Sequence, residues 1–214
     1  MILRIDIFSD VVCPWCYIGK RRMEKALEMM GDRYETYVTW LPFELNPEMP
    51  KGGMERTSYL TAKFGGPEKL AEMDASVREA AHQEEIHMKI ENIERSPNTR
   101  DAHRLIWTAE KEGHQDAVVE ALFRAYFCEG KDVGNREILA SVAGSIGMDG
   151  ADMESLFGDE RSTQAVLKEE GMGQRLGIHS VPSFILNGEY LLTGAHYPET
   201  LVSAFREAVN GEVY

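Results

Sequence analysis

The 214-residue sequence is poor in cysteine, in basic residues and in long apolar runs. Its three cysteines are too few for the disulfide framework that holds small secreted domains together. Lysine and arginine number 23 against 36 aspartate and glutamate residues, and the formal net charge of −13 argues against nucleic acid and anionic membranes as partners. No stretch approaches the roughly 20 apolar residues that span a bilayer. These absences leave a globular chain of one domain, or one domain with a large insertion.

The N-terminal segment, residues 1–10, lacks the features of a secretion signal. Arg4 and Asp6 interrupt its apolar residues, and no basic region precedes an unbroken apolar core. We therefore expect a cytoplasmic protein. In that compartment thiols are kept reduced, and two closely spaced cysteines are more often redox-active than structural.

Two of the three cysteines stand two residues apart, in the run Cys13-Pro-Trp-Cys16. An apolar stretch typical of a β-strand, residues 2–8, precedes the run. Residues 14–30 then show the apolar spacing of a helix. The cysteine pair is therefore expected at a strand-to-helix turn, with Cys13 at the helix N-terminus.

That position suggests a different role for each residue of the motif. Unpaired N–H groups and the positive end of the helix dipole favour a thiolate at Cys13, which we expect to be the attacking and more exposed thiol. Cys16, one turn further on, would resolve the mixed disulfide. Pro14 suits the first helical turn. Trp15 would place an apolar ring beside the sulfur atoms, where a substrate can contact it.

Two other interpretations of the cysteine pair were weighed. A structural zinc site needs two further ligands, but Cys128 is isolated and His82 and His87 are five residues apart, on different helix faces. A structural disulfide is unusual in a cytoplasmic chain. We therefore predict no metal site.

The order of predicted elements changes along the chain. Apolar spacing predicts strand, helix and strand over residues 2–43, helices over most of 54–160, and two strands with a final helix in the tail. This order predicts an α/β protein: a thioredoxin fold with a large inserted helical subdomain. The thioredoxin fold would take residues 1–45 and 161–214 and the insertion 54–160, so the two ends of the chain would pair in one sheet.

A second candidate site is Val181-Pro182, at the start of a predicted strand. A cis bond is common in such a tight turn, whereas an ordinary edge-strand proline would be trans. If the bond is cis and faces the cysteines, the Val181 backbone is free to pair with an extended substrate. The residues alone leave both forms open, and the cysteine motif favours the cis form.

One helix face in the middle of the chain could line a pocket over the cysteines. Thr99, His103 and Trp107 share that face, and Asn98 precedes it. Interhelical packing with a hydrogen-bonded histidine is the favoured alternative. Asn98 and His103 are therefore retained only as candidate pocket-lining residues.

Three further features are expected to be structural. Cys128 has the spacing of a buried core residue, with a redox role as the minority interpretation. The acidic pairs Glu84-Glu85 and Glu169-Glu170 are expected on solvated faces.

Several runs, in the same order, resemble the DsbA-like family of the thioredoxin superfamily, in its FrnE-type branch. They are Phe8-Ser-Asp-Val-Val-Cys-Pro-Trp-Cys-Tyr-Ile-Gly-Lys20, Phe43-Glu-Leu-Asn-Pro47, Asn98-Thr-Arg-Asp-Ala-His-Arg-Leu105, Ala121-Leu-Phe-Arg-Ala-Tyr-Phe127 and Val181-Pro-Ser-Phe184. The resemblance covers nearly the whole chain. It implies a thioredoxin fold with a helical insertion, a cis-proline at Pro182, and disulfide exchange with protein or small thiols.

Related members of the family point to a second activity. They include glutathione-dependent 2-hydroxychromene-2-carboxylate isomerases and kappa-class glutathione transferases, which carry a serine where Cys13 stands. This chain also departs from its relatives at Ile178-His-Ser180 and Thr193-Gly-Ala-His196, which bears on the substrate groove.

Three functional hypotheses follow. The first is a thiol–disulfide oxidoreductase acting on a protein or small-molecule thiol or disulfide. The second is a glutathione-dependent isomerase or transferase, and the third a non-enzymatic, chaperone-like binder. We expect no tightly bound cofactor, with glutathione as a candidate co-substrate. The sequence leaves the oligomeric state and the direction of electron flow open.

Overall fold

The computed structural model describes residues 1–148 and 153–210 of the chain. Its strands are β1 (Ile2–Ser9), β2 (Glu35–Pro42), β3 (Met54–Glu55), β4 (Arg95–Ser96), β5 (Ser183–Leu186) and β6 (Tyr190–Thr193). Four of them form one mixed sheet in the order β2-β1-β5-β6, with β1 parallel to β2 and antiparallel to β5. The sheet confirms that the first and last parts of the chain pair with each other. β3 and β4 form a separate two-residue ladder.

The segment between β2 and β5 is mainly helical, as its apolar spacing predicts. The helices of the chain are α1 (Pro14–Met30), α2 (Arg56–Phe64), α3 (Pro67–Gln83), α4 (Arg100–Lys111), α5 (Gln115–Phe123), α6 (Arg136–Ser145), α7 (Met153–Gly158), α8 (Glu160–Arg175) and α9 (Pro198–Asn210). Arg124–Cys128 continues α5 as a π-helical turn. The thioredoxin fold with added helices is thus confirmed. The proposed division at 1–45, 54–160 and 161–214 stays a prediction, and residues 149–152 and 211–214 lie outside the described ranges.

β1 is one of the two inner strands of the sheet, and its alternate residues form a buried apolar face. Leu3, Ile5 and Ile7 are fully buried, and so is Phe8 beside them. On one side α1 packs against α9. On the other, the Phe8 ring meets α8 at Gly173, where a Cβ would come within 2.7 Å of the ring. The strand therefore holds the turn that follows it, residues 10–13, in a fixed place.

Buried ion pairs connect α1 to the inserted helices. The Arg22 Nε donates to Glu84 Oε1 at 2.6 Å, and both side chains are 5% exposed. Lys25 Nζ contacts the other Glu84 oxygen at 2.8 Å. Burial opposes the Glu84 charge, yet Lys25 and Arg22 outweigh it and lower the pKa of that carboxyl. The expectation that Glu84 is solvated is therefore wrong: its two basic partners allow it to be buried.

Candidate active site

The cysteine pair lies where β1 passes into α1. Cys13 is the N-cap residue of α1, with Pro14 at its first position. The Cys13 N–H donates to the Asp10 carbonyl at 3.0 Å, and the Cys16 N–H donates to the Cys13 carbonyl at 3.0 Å. Both thiols are free. Cys13 is 5% exposed and Cys16 is fully buried, so the expected order of exposure is confirmed, although Cys13 itself is also a buried residue.

The two sulfur atoms have different surroundings. Burial, then a hydrogen bond and charge repulsion from Cys13, raise the pKa of the Cys16 thiol well above its ordinary range. The Ser9 side chain and the Asp10 main chain hydrogen-bond to the Cys16 sulfur and act in the opposite direction. Cys16 is therefore held as a thiol until its proton is removed.

The loop before β5 faces Cys13. The Val181–Pro182 peptide bond is cis, which confirms the favoured form. The Cys13 Sγ donates to the Val181 carbonyl at 3.6 Å. Behind the loop, a Cβ at Gly19 of α1 would come within 3.0 Å of Pro182 Cγ, so a glycine there permits close packing. The substrate-binding roles of Val181 and Pro182 stay predictions.

A cavity of about 310 Å³ lies over the cysteine pair. Cys13, Pro14, Trp15 and Val181 line one side of it. Apolar side chains of α2 and α3 line the other: they are Leu60, Phe64, Leu70, Met73 and Val77. The apolar residues of α3 therefore face this cavity, next to Cys13.

The two candidate pocket-lining residues, Asn98 and His103, are placed outside this lining. Asn98 Nδ2 donates to the Met49 carbonyl at 2.7 Å, and its Oδ1 accepts from the Arg100 N–H at 3.1 Å. The side chain therefore connects the loop after β2 to the start of α4. His103 is 3% exposed and lies beneath the cavity. The favoured alternative was a packed and hydrogen-bonded histidine: the side chain is buried, but its Nε2 makes no hydrogen bond among the described residues. Of the same helix face, Thr99 does line the cavity.

A buried histidine–carboxylate pair underlies the site. His103 Nε2 and Asp10 Oδ1 are 3.4 Å apart, an ion-pair distance without hydrogen-bond geometry. Burial opposes a charge on His103, but Asp10, followed by Glu44 and Glu170, raises its pKa. Asp10 Oδ2 accepts from the Leu45 N–H at 2.8 Å, which fixes the carboxylate next to Cys13.

The second acidic pair, Glu169-Glu170, is not on a fully solvated face. Both side chains are half-buried on α8. Burial and the charge of Glu110 raise the pKa of Glu169 to about 7. Burial and the charge of Glu44 raise the pKa of Glu170 to about 7. The expectation that Glu169 and Glu170 are solvated is wrong, because packing of α8 partly buries them near the acidic residues Glu110 and Glu44.

Sequence patterns missed several residues of the site. Asp10 stands beside the cysteine motif, but an isolated aspartate there gives no signal of burial. Tyr59 and Lys63 line the cavity from α2, a helix whose residues are all at least partly exposed and so show no buried stripe. The one sequence pattern that could have identified them is their spacing: residues four apart lie on the same face of a helix.

The described residues contain neither a candidate metal cluster nor a helix suited to cross a membrane. No cluster of three or more His, Cys, Asp or Glu side chains within 1–148 and 153–210 could hold a metal ion. No helix in the part of the chain that the structure covers is long and apolar enough to cross a membrane.

Known proteins resemble this chain over almost its full length. A probable DsbA oxidoreductase from Streptomyces coelicolor is 29% identical, with a TM-score of 0.90, over 99% of this chain and 92% of that one. A 2-hydroxychromene-2-carboxylate isomerase shares the fold at 18% identity and a TM-score of 0.73, over 100% of both chains. The cytosolic disulfide reductase DsbM from Pseudomonas aeruginosa, in a structure with GSH, shares it at 16% identity and a TM-score of 0.62, over 97% of this chain and 99% of that one.

The family model agrees with these similarities and with the geometry of the site. The model of the DSBA-like thioredoxin domain matches residues 4–206, which include Cys13, Cys16 and the cis-proline loop. The chain therefore belongs to the DSBA-like thioredoxin domain family.

Proposed function

We propose that this protein is a thiol–disulfide oxidoreductase that exchanges disulfides through Cys13 and Cys16. One observation carries the proposal: Cys13 is the N-cap residue of α1, its thiol contacts the Val181 carbonyl at 3.6 Å, and it lines a cavity. The thiolate is the nucleophile of disulfide exchange, and the N-terminus of a helix is where such an attacking cysteine is commonly placed.

The exchange proceeds in two steps. The Cys13 thiolate attacks one sulfur of a substrate disulfide, so that a Cys13–substrate disulfide forms and the other half leaves as a thiolate. The Cys16 thiol then loses its proton and attacks the Cys13 sulfur. This releases the second half of the substrate as a thiol and leaves a Cys13–Cys16 disulfide. The substrate is reduced by two electrons and the enzyme is oxidised by two; the reverse sequence oxidises a dithiol.

We assign to the Asp10 carboxylate the role of receiving the proton of Cys16. Its main chain hydrogen-bonds to the Cys16 sulfur, and its buried carboxylate lies beside the cavity. Because the Cys16 pKa is raised, the second step needs a base. In this proposal Asp10 removes the proton and His103 balances its charge.

The same proposal includes the partners and the compartment. The two sulfurs carry the electrons, so the exchange needs no tightly bound cofactor. Glutathione is the candidate co-substrate that restores the dithiol, and DsbM, which has the same fold, was solved with GSH. We place the protein in the cytoplasm, where glutathione is abundant and reduced.

The test is exchange of 2-hydroxyethyl disulfide and reduction of insulin by single-cysteine variants. Cys13→Ser is expected to lower activity at least 1,000-fold, because the nucleophile is lost. Cys16→Ser is expected to accumulate a mixed disulfide at Cys13, visible by mass spectrometry. Cys128→Ser is the matched control and should keep full activity. Full activity in both Cys13→Ser and Cys16→Ser would end the proposal.

A second candidate function is glutathione-dependent isomerisation. The fold shared with a 2-hydroxychromene-2-carboxylate isomerase over the full length of both chains favours it. An isomerase activity would need glutathione and would survive Cys16→Ser, whereas disulfide exchange would not. A chaperone-like binder would suppress aggregation equally well in both cysteine variants.

A further inference from the structure

We propose that the cavity over Cys13 is the binding site of a small apolar disulfide that carries a carboxylate, and that exchange takes place inside the cavity. This inference rests on the proposed function and names its substrate class. It concerns what the cavity recognises and where the anionic end of the substrate lies.

The size and lining of the cavity indicate a small apolar ligand. Its volume of about 310 Å³ is at the lower end of the 300–1,000 Å³ typical of small-molecule sites. Leu70, Val77, Ile93 and Phe127 line it and are buried. Water in such a space has few polar partners, so an apolar group that displaces it gains binding free energy.

Access to the sulfur limits the substrate to a small molecule. Cys13 is only 5% exposed, and its thiol faces the cavity beside Val181. A disulfide in a folded protein is flanked by main chain on both sides, and those chains would have to enter a space of this volume. A free disulfide of two short chains meets no such restriction.

Lys63 supplies the charge that an acidic substrate needs. Its Nζ donates to the Tyr59 hydroxyl at 3.2 Å, and Asn46 Nδ2 donates to the same hydroxyl at 3.2 Å. Among the described residues no carboxylate lies within ion-pair distance of Lys63, whereas Arg56, also in the lining, pairs with Asp74 at 2.8 Å. In a chain with a net charge of −13, this exposed cation is the group that can bind a substrate carboxylate.

Glutathione fits the cavity less well than such a ligand does. Its two carboxylates and one ammonium group would have to be desolvated against apolar side chains, which is unfavourable without partners. We therefore assign glutathione to the second half of the cycle. Two molecules reduce the Cys13–Cys16 disulfide and leave as oxidised glutathione, while the apolar disulfide occupies the cavity in the first half.

The test measures single-turnover oxidation of the pre-reduced protein by dithiodipropionate, dithiodibutyrate and dithiodihexanoate. Each rate constant is divided by that of dithiothreitol with the same disulfide, which removes differences in intrinsic reactivity. The normalised rate constant is expected to rise roughly fourfold for each added methylene that enters the cavity. Lys63→Met should remove the preference for dithiodihexanoate over its neutral diamide.

Cavity-filling variants provide the structural control. Leu60→Trp and Met73→Trp reduce the cavity volume and should flatten the rise with chain length, and two variants are used in case one fails to fold. Leu191→Trp adds the same side chain at an exposed position outside the lining and should leave the rise unchanged.

Three results separate failure of this inference from failure of the proposed function. A flat chain-length series, with Cys13-dependent exchange of 2-hydroxyethyl disulfide intact, overturns the inference alone. Insulin reduction faster than that of every small disulfide also overturns it, in favour of a protein substrate. Loss of all exchange that depends on Cys13 would instead refute the proposed function.

Discussion

Cys13 and Cys16 belong to one motif but differ in their surroundings. Cys13 lines a cavity and its thiol contacts the Val181 carbonyl, whereas Cys16 is fully buried, with Cys13, Ser9 and Asp10 as partners. In the proposed exchange this difference would distinguish the attacking sulfur from the resolving one, with no charged residue between them. At the scale of single residues, burial decides the chemistry more than sequence neighbours do.

Burial also makes the effect of Glu169 on the stability of the protein depend on pH. Burial and Glu110 raise its pKa to about 7, against an ordinary value near 4.5. The folded protein therefore binds a proton between pH 4.5 and 7 that the unfolded chain releases, and stability falls as pH rises through this window. We expect Glu169→Gln to stabilise the protein by about 1 kcal/mol at pH 8 and to have little effect at pH 5.

Urea denaturation at the two pH values measures this difference. Glu207→Gln, at an exposed position of α9, is the control and should change the free energy of unfolding equally at pH 5 and pH 8. If Glu169→Gln changed the free energy of unfolding equally at pH 5 and pH 8, the raised pKa would not contribute to stability.

Single residues could be predicted only where the signal was local. The spacing of Cys13 and Cys16 after an apolar strand identified the thiol pair and its place on the helix. The His103–Asp10 pair and the half-buried Glu169 depend on partners far away in the chain, and no local pattern reports them. Sequence reasoning therefore located the thiol pair but missed these buried titratable groups.

At the scale of elements, the contact of α8 with β1 depends on one glycine. A Cβ at Gly173 would lie 2.7 Å from Phe8 Cε1, and the Phe8 ring is fully buried and cannot move aside. A Cβ at Gly171, on the same helix, would meet nothing closer than the end of the Arg175 side chain at 3.5 Å. The two glycines therefore differ in environment but share helical geometry.

Alanine substitutions at these two glycines should have opposite signs. Gly173→Ala is expected to destabilise the protein by about 1–3 kcal/mol, because it overpacks the core. Gly171→Ala should stabilise it by roughly 0.5–1 kcal/mol through higher helix propensity. Thermal denaturation of both variants measures this. Two changes of the same sign would show that the close approach at Phe8 does not constrain α8.

Element prediction succeeded where burial was one-sided. The apolar stripe of α3 and the alternating strands gave their elements correctly, because one face of each meets the core. α2 lies in the range predicted as helical but was not predicted as a separate helix, because none of its residues is buried, and the π-helical turn at Arg124–Cys128 was not predicted. A π turn keeps helical apolar spacing to within a residue, so the pattern does not reveal it.

At the scale of the whole molecule, acidic charge exceeds basic charge by 13. The resulting long-range repulsion opposes the compact state. Buried contacts such as Arg22–Glu84, with each side chain 5% exposed, respond little to salt, whereas repulsion between distant surface charges is screened. Added salt should therefore weaken the repulsion between surface charges and stabilise the protein.

We expect the melting temperature at pH 7.5 to rise by about 2–4 °C as sodium chloride increases from about 0.01 to 0.15 M. Over that range the screening length falls from roughly 30 to 8 Å. A change of this size corresponds to about 1 kcal/mol for a chain of this length. Differential scanning calorimetry measures it. A fall in melting temperature would mean that exposed ion pairs stabilise the fold more than the excess charge destabilises it.

The overall architecture could be predicted because its two ends carry strong strand patterns. Strands predicted near residues 2–8 and 181–187 had to pair in one sheet, and β1 and β5 do so. The cavity could not be predicted, since it arises where α2 and α3 approach the turn at Cys13, and nothing local specifies that approach.

The position of β1 in the sheet also affects how the protein is made. β1 is synthesised long before its antiparallel partner β5, which begins at Ser183. At the usual 5–20 residues per second, roughly 9–35 s of synthesis separate the two strands. During that time one edge of β1 has no partner, and the nascent chain can complete this sheet only after β5 and β6 have been made. Chaperones that shield hydrophobic segments would therefore act on this chain during translation.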